Sequence, residues 1–300
     1  MDAATRNKPI YIFRLTPKIS LIWTALGLLL FILAASSASW FYGKIHGLSS
    51  LNFSLEGSQD NFWENILPFL SLFAIILGTA IIHELVHGVA FTAFGGSPRY
   101  GVKVKYFLPL AYATSPGNYF RRNAFIVIGL APLIVIDVAC LLLLAIFPQA
   151  SWLIMVIAFN TGGAVGDIWM AVQLLRCPKS VQVEDREEGM AIYAPPSVTR
   201  QQLPFSQTSN KSSSVVQRPL NFILMSLALI IIVSFLLAPI FKALTVPSFI
   251  IGTNDFWILR WENTSQGFGI GFNWLSILIL ALASLLLSIV ISIFFKRNII

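Results

Sequence analysis

Apolar residues in this chain neither alternate nor recur with the period of an amphipathic surface helix. They run on for about twenty positions at a time, and polar residues are swept into the intervals between the runs. Six runs stand out, at about 19–42, 65–95, 124–147, 151–175, 219–244 and 274–295. As a helix, each is long enough to cross the roughly 30 Å hydrocarbon core of a bilayer. The pattern predicts an all-α polytopic membrane protein with about six transmembrane helices. The first run follows a basic leader (Arg6, Lys8, Arg14, Lys18), as a secretory signal would. Its apolar stretch exceeds the roughly 7–15 residues of a signal core, so it reads as a retained span. The small residues of Ala35-Ser-Ser-Ala38 leave cleavage as the alternative.

Basic residues give the expected direction. Four precede the first run, five lie in the 96–123 interval (Arg99, Lys103, Lys105, Arg121, Arg122) and six in 176–218, while Lys296 and Arg297 follow the last run. Of the 20, Lys44, Lys242 and Arg260 alone fall in the alternate intervals. The positive-inside bias then predicts both termini in the cytosol and a multi-pass plasma-membrane protein. Three regions follow: a membrane core over 1–175, a polar cytosolic linker over 176–218, and a C-terminal two-helix membrane segment with an outer loop over 219–300. The linker carries the acidic cluster Glu184-Asp185-Arg186-Glu187-Glu188, expected on a solvated face, and turns rich in Ser, Gln, Thr and Pro from Pro195. The 245–273 loop, with its aromatics and glycines, is expected near the membrane interface.

Composition narrows the classes. Hydrophobic residues make up 56% and charged residues 11% of the chain, and mean hydropathy is +0.78. Soluble chains carry about 25% charged residues, so a cytosolic enzyme, a disulfide scaffold and a disordered tail are excluded. The net charge of +7 fits anionic lipid rather than nucleic acid, making the bilayer the first expected partner. Cys140 and Cys177 sit in or beside apolar runs and form no disulfide framework.

The chemistry concentrates in His83-Glu84-Leu85-Val86-His87, inside the second run. Two histidines at i and i+4 present both imidazoles on one helix face, a turn apart, as a tetrahedral metal requires. Glu84 between them can serve as general base without being a ligand. Three ionisable groups in one turn of a membrane helix are costly, which argues for a functional site. The bland alternative is a pair of neutral core histidines with a protonated Glu84.

A catalytic zinc site wants a third protein ligand. His46 is expected on the outer side of the membrane. His83 and His87 lie roughly 12–18 Å from the cytosolic end of their helix, Asp167 roughly 13 Å and Asp137 roughly 20 Å. Depth favours Asp167, with Asp137 as the alternative or as a buried acid bonding across helices. Gly162 and Gly166 form a small-xxx-small face that would let the Asp167 helix approach the histidine helix. Asn160, two turns before Asp167, could bond substrate or a developing oxyanion, or simply a neighbouring helix. In the 100–117 interval, Val102, Val104 and Tyr106 alternate with Lys103 and Lys105, a strand-like period followed by Pro109 and Pro116-Gly117 as breakers. Such a strand could hold an unwound substrate by edge pairing, or the loop could anchor to lipid headgroups.

The His-Glu-x-x-His span followed by Asn160-Thr-Gly-Gly-Ala-Val-Gly-Asp167 resembles the site-2 protease type of intramembrane zinc metalloprotease. More closely, residues from about 80 to 192 resemble a bacterial family of membrane zincin peptidases, through Gly101-Val-Lys-Val-Lys-Tyr106, Ala113-Thr-Ser-Pro-Gly117 and the Gly-Ala-Val-Gly-Asp stretch. The resemblance implies Zn2+ on His83, His87 and Asp167, Glu84 as catalytic base, Asn160 near the substrate, and a transmembrane or membrane-proximal protein as substrate. The chain departs from the usual site-2 pattern: Gly166 precedes the aspartate, Ile168 follows it, the expected proline is missing, and there is no PDZ-like domain. Competing readings are an inactive scaffold, a metal or proton transporter, and a zinc hydrolase acting on a lipid or small amide. The absence of an inverted repeat weighs against the transporter.

Overall fold

Three of the apolar runs fold as single long helices: α1 (Pro17–His46), α2 (Phe62–Ala93) and α3 (Arg122–Ile146). Each is long and apolar enough to cross a membrane. The fourth run is broken. Helices α4 (Leu153–Gly163) and α5 (Val165–Leu175) meet with a bend of 44°, where the Gly162-Gly163 pair weakens the helix and Ala164 interrupts it. The computed structural model describes residues 8–47, 53–58, 62–105, 108–186, 189–204, 240–242, 244–265, 267–283 and 286. The expected span at 219–244 therefore lies almost wholly outside the described residues. Of the run at 274–295, the described part is α6 (Trp274–Ala283), shorter than a span.

The expectation of an all-α, six-span protein is overturned. Among the described residues three helices qualify as spans, or up to four if the bent pair counts as one, and the chain also forms three antiparallel sheets. One sheet has the order β1-β7-β6-β5, from β1 (Tyr11–Ile12), β5 (Phe120–Arg121), β6 (Gln182–Arg186) and β7 (Gly189–Tyr193). Another has the order β2-β10-β9-β8, from β2 (Phe53–Ser58), β8 (Phe249–Gly252), β9 (Trp257–Asn263) and β10 (Gly267–Phe272). The third is the hairpin of β3 (Arg99–Lys105) and β4 (Leu108–Thr114).

Period-two burial explains the unexpected β9–β10 pair. In β9 and β10, Trp257, Leu259, Trp261, Phe268, Ile270 and Phe272 are buried, and the residues between them in β9 are not. That alternation outweighs the loop-like glycines. In β6 the neighbours Val183 and Glu184 are both buried and the residues on either side are partly exposed, so no such alternation marks that strand.

The chain divides into two compact units. The first holds residues 1–23, 78–139 and 163–210. Its core joins Phe91 of α2, Phe125 and Ile128 of α3 and Leu174 of α5 to Val183, Met190 and Ile192 of the sheet. The second holds residues 24–77, 140–162 and 211–300. There the inner face of the β9–β10 pair packs with Ile32 and Ala35 of α1 and Met155 and Ala158 of α4.

The small-residue face serves a different helix from the one expected. In the second unit, a Cβ at Gly162 would lie 3.0 Å from the Gly27 carbonyl and from Phe31 of α1. In the first unit, a Cβ at Gly166 would lie 3.0 Å from the Trp23 ring, again on α1. The small face fits α1, not the histidine helix.

Gly189 opens β7 with φ +131°, where a Cβ would strike the Phe13 carbonyl oxygen. Gly189→Ala is expected to cost about 1–3 kcal/mol through backbone strain, read as a lower thermal midpoint. Gly95→Ala, at φ +79° with open space around it, is expected to cost nearer 1 kcal/mol. Equal midpoints for the Gly189→Ala and wild-type proteins would refute the strained approach of Phe13.

Candidate metal centre

His83 and His87 lie one turn apart on α2, both 9% exposed, with ring centroids 4.9 Å apart. Asp167, in the first turn of α5, faces both rings. Its Oδ2 is 3.2 Å from His83 Nε2 and its Oδ1 is 3.6 Å from His87 Nε2. One ligand atom from each of the three lies within 4.8 Å of the others. Tetrahedral zinc with bonds near 2.0–2.1 Å sets its ligand atoms about 3.3 Å apart, so the spacing fits the ion.

The second imidazole is oriented for that role. His87 Nδ1 lies 3.1 Å from the Ile128 carbonyl oxygen of α3. A proton on Nδ1 donated to that carbonyl leaves the Nε2 lone pair facing Asp167, the usual outer-shell support of a ligating histidine. Arg122, 8% exposed at the start of α3, donates to the carbonyls of Cys177 at 2.7 Å and Leu175 at 3.4 Å. Its cation caps the C-terminal end of α5 and so ties the Asp167 helix to the helix that steadies His87.

Glu84 does not join the ligand set. Its Oε2 accepts a 2.7 Å hydrogen bond from the Ala113 N–H of β4. Ala113 stands opposite Tyr100 of β3, so an N–H given to Glu84 faces away from the β3 ladder. Period two places Ala111 and Pro109 on the same outer edge. Pro109, expected as a breaker, remains inside β4 because its missing N–H falls on that unpaired edge. The hairpin reaches α2 through Gly88, where a Cβ would run into the Tyr100 hydroxyl.

The other expected residues are not among the clustered ligands. Asp137 is in α3, outside the clustered ligands. Asn160 is in α4, 1% exposed, within the second unit. His46, also in the second unit, stacks against Tyr42 and places Nε2 2.8 Å from the Leu144 carbonyl oxygen.

Residues 76–182 match a family described as "Putative zincin peptidase". The matched segment is zincin-like and points to a metallopeptidase, and the zincin class implies zinc. No curated protein and no solved structure matches the chain.

Of the acidic run expected on a solvated face, Glu184 and Asp185 are instead built into the first unit, and Glu187 and Glu188 lie outside the described residues. Glu184 is 4% exposed, and Asp185, on the opposite face of β6, lies within electrostatic reach of His87, Asp167 and Glu84. The Ala113 N–H and the Ile128 carbonyl are backbone groups, and no residue identity announces them.

Burial pushes the Asp185 carboxyl up to about 7; His87 opposes the shift, and the negative Asp167, Glu84 and Glu184 add to it. The folded state therefore binds more protons than the unfolded chain between about pH 4 and that value, and stability falls as pH rises through this window. In chelator-treated protein, Asp185→Asn should raise the thermal midpoint at pH 8 and leave it unchanged at pH 4. An identical difference at both pH values would contradict the buried-acid account.

Proposed function

We propose that the protein is a membrane-embedded zinc metallopeptidase that hydrolyses peptide bonds of transmembrane or membrane-proximal proteins. The observation that carries the reading is the convergence of His83, His87 and Asp167, with Glu84 beside them on the same helix. The zincin-like match over 76–182 supports the class. Three long apolar helices support the membrane setting, with lipid as their surroundings. The relation to site-2 proteases belongs to this proposal and rests on the helical His-Glu-x-x-His followed by an aspartate on a later helix.

His83, His87 and Asp167 would hold the ion. When bound, zinc supplies Lewis acidity, lowering the pKa of water toward about 7 and polarising a peptide carbonyl. Glu84 is the base: with Oε2 held by the Ala113 N–H, its other oxygen takes a proton from the attacking water and returns it to the leaving amine. The outer edge of β4 offers the Ala111 N–H, which is not committed to Glu84 as that of Ala113 is, and the edge carbonyls to an extended substrate strand. Edge pairing would hold a segment whose carbonyls a helix would otherwise conceal.

Metal analysis of detergent-purified protein tests the ligand set. About one zinc per chain is expected in wild type and Asp137→Ala, and none in His87→Ala or Asp167→Ala. Glu84→Gln should keep its zinc and lose about 100-fold or more of the cleavage of fluorescein-labelled casein. Wild-type protein without stoichiometric metal, or Glu84→Gln with full turnover, would sink the metallopeptidase reading and leave a scaffold or transporter.

A further inference from the structure

Glu184 belongs to no ligand set, yet its carboxylate is buried and fully engaged. Oε1 accepts the Gly117 N–H at 2.8 Å, and Oε2 accepts the Tyr193 hydroxyl at 2.7 Å and Arg186 Nε at 2.7 Å. Burial alone would raise its pKa; the bonds from Gly117, Tyr193 and Arg186 outweigh this and hold it below the usual carboxylate range. Gly117 lies three residues after the end of β4. With Pro116 before it, φ +80° and an Asn118 N–H to Ser115 carbonyl bond of 3.3 Å, it sits in the third position of a type II turn, where glycine is favoured.

The turn is the base of the β3–β4 hairpin. Ser115 Oγ, fully buried, accepts the Ser97 N–H at 3.1 Å and Asn118 Nδ2 at 3.1 Å, closing the open end of the hairpin where its two strands leave the ladder. Glu184 then ties that closed end to β6. Four residues from Gly117 along the chain is Ala113, whose N–H holds Glu84. A rigid turn at one end of so short a segment fixes the position of the amide at the other.

We propose that Glu184 is a positioning residue: by holding the Pro116-Gly117 turn against β6, it sets the β4 edge so that the Ala113 N–H orients the Glu84 carboxylate. The proposal rests on the metallopeptidase reading for its catalytic consequence, and its structural step can be read separately.

The experiment uses full-length, zinc-loaded protein in detergent with fluorescein-labelled casein as probe. Glu184→Ala should lower kcat about 10- to 100-fold, as expected for a misplaced catalytic group, with zinc retained and KM changed far less. Glu184→Gln keeps a carbonyl acceptor for the Gly117 N–H and should recover most of the turnover. Ala113→Pro deletes the donor to Glu84 and no ladder bond to β3. In that background Glu184→Ala should cost less than about 3-fold more, because coupled sites are not additive. Hydrogen exchange of the Ala113 amide should quicken about 10-fold or more in Glu184→Ala. Glu184→Asp, one methylene shorter, should show the same pattern at smaller amplitude and carries the test if Glu184→Ala does not fold.

An equal loss of kcat in both backgrounds, or unchanged Ala113 exchange, overturns the proposal. If wild-type protein binds no zinc and cleaves no casein, the metallopeptidase reading fails, and the exchange measurement alone decides whether Glu184 positions β4.

Discussion

The contact between the Asp167 carboxylate and the two α2 imidazoles is the constraint to which the first unit is fitted. Three ionisable groups in apolar surroundings cost several kcal/mol unless they face one another or a cation. Once the cluster exists, neighbouring elements are needed to aim its members. The Ile128 carbonyl turns His87, Arg122 ties the end of α5 to the start of α3, and the Ala113 amide takes up one oxygen of Glu84. None of these supports is a metal ligand, yet each limits where a ligand or base can point.

The break between α4 and α5 belongs to the same arrangement. A continuous helix would carry residues 153–175 along one axis. The Gly162-Gly163 pair and Ala164 bend the path by 44° just before Asp167. The aspartate consequently stands in the first turn of a new helix, where unpaired backbone N–H groups favour a negative charge. Gly166 lets the Trp23 ring of α1 pack closely on the face beside it.

The grouping of His83, His87 and Asp167 was legible in the sequence because it depends on residue identity and helical spacing. His83, Glu84 and His87 declare themselves, and depth along the helices separates Asp167 from Asp137. The sheets were harder to read. Their strands are short, and the glycines of β10 and the acids of β6 suggest loop and solvent when counted as composition. Only the alternation of Trp257, Leu259 and Trp261 reveals the buried face of β9, and β6 carries no comparable pattern. Pro109 misleads in the same way: proline breaks a paired edge and is harmless on an unpaired one. Groups that act through the backbone, Ala113 and Ile128 above all, have no signature, since any residue offers the same carbonyl and any but proline the same amide.

The approach of Tyr100 to Gly88 couples two positions that lie far apart in the chain. An aromatic ring can rest on α2 directly after His87 because the next residue has no side chain. Among related chains, a larger residue after the second histidine should therefore be accompanied by a smaller one at the Tyr100 position. The pair would vary together while the histidines stay fixed, and the effective motif would be six residues long plus one distant partner.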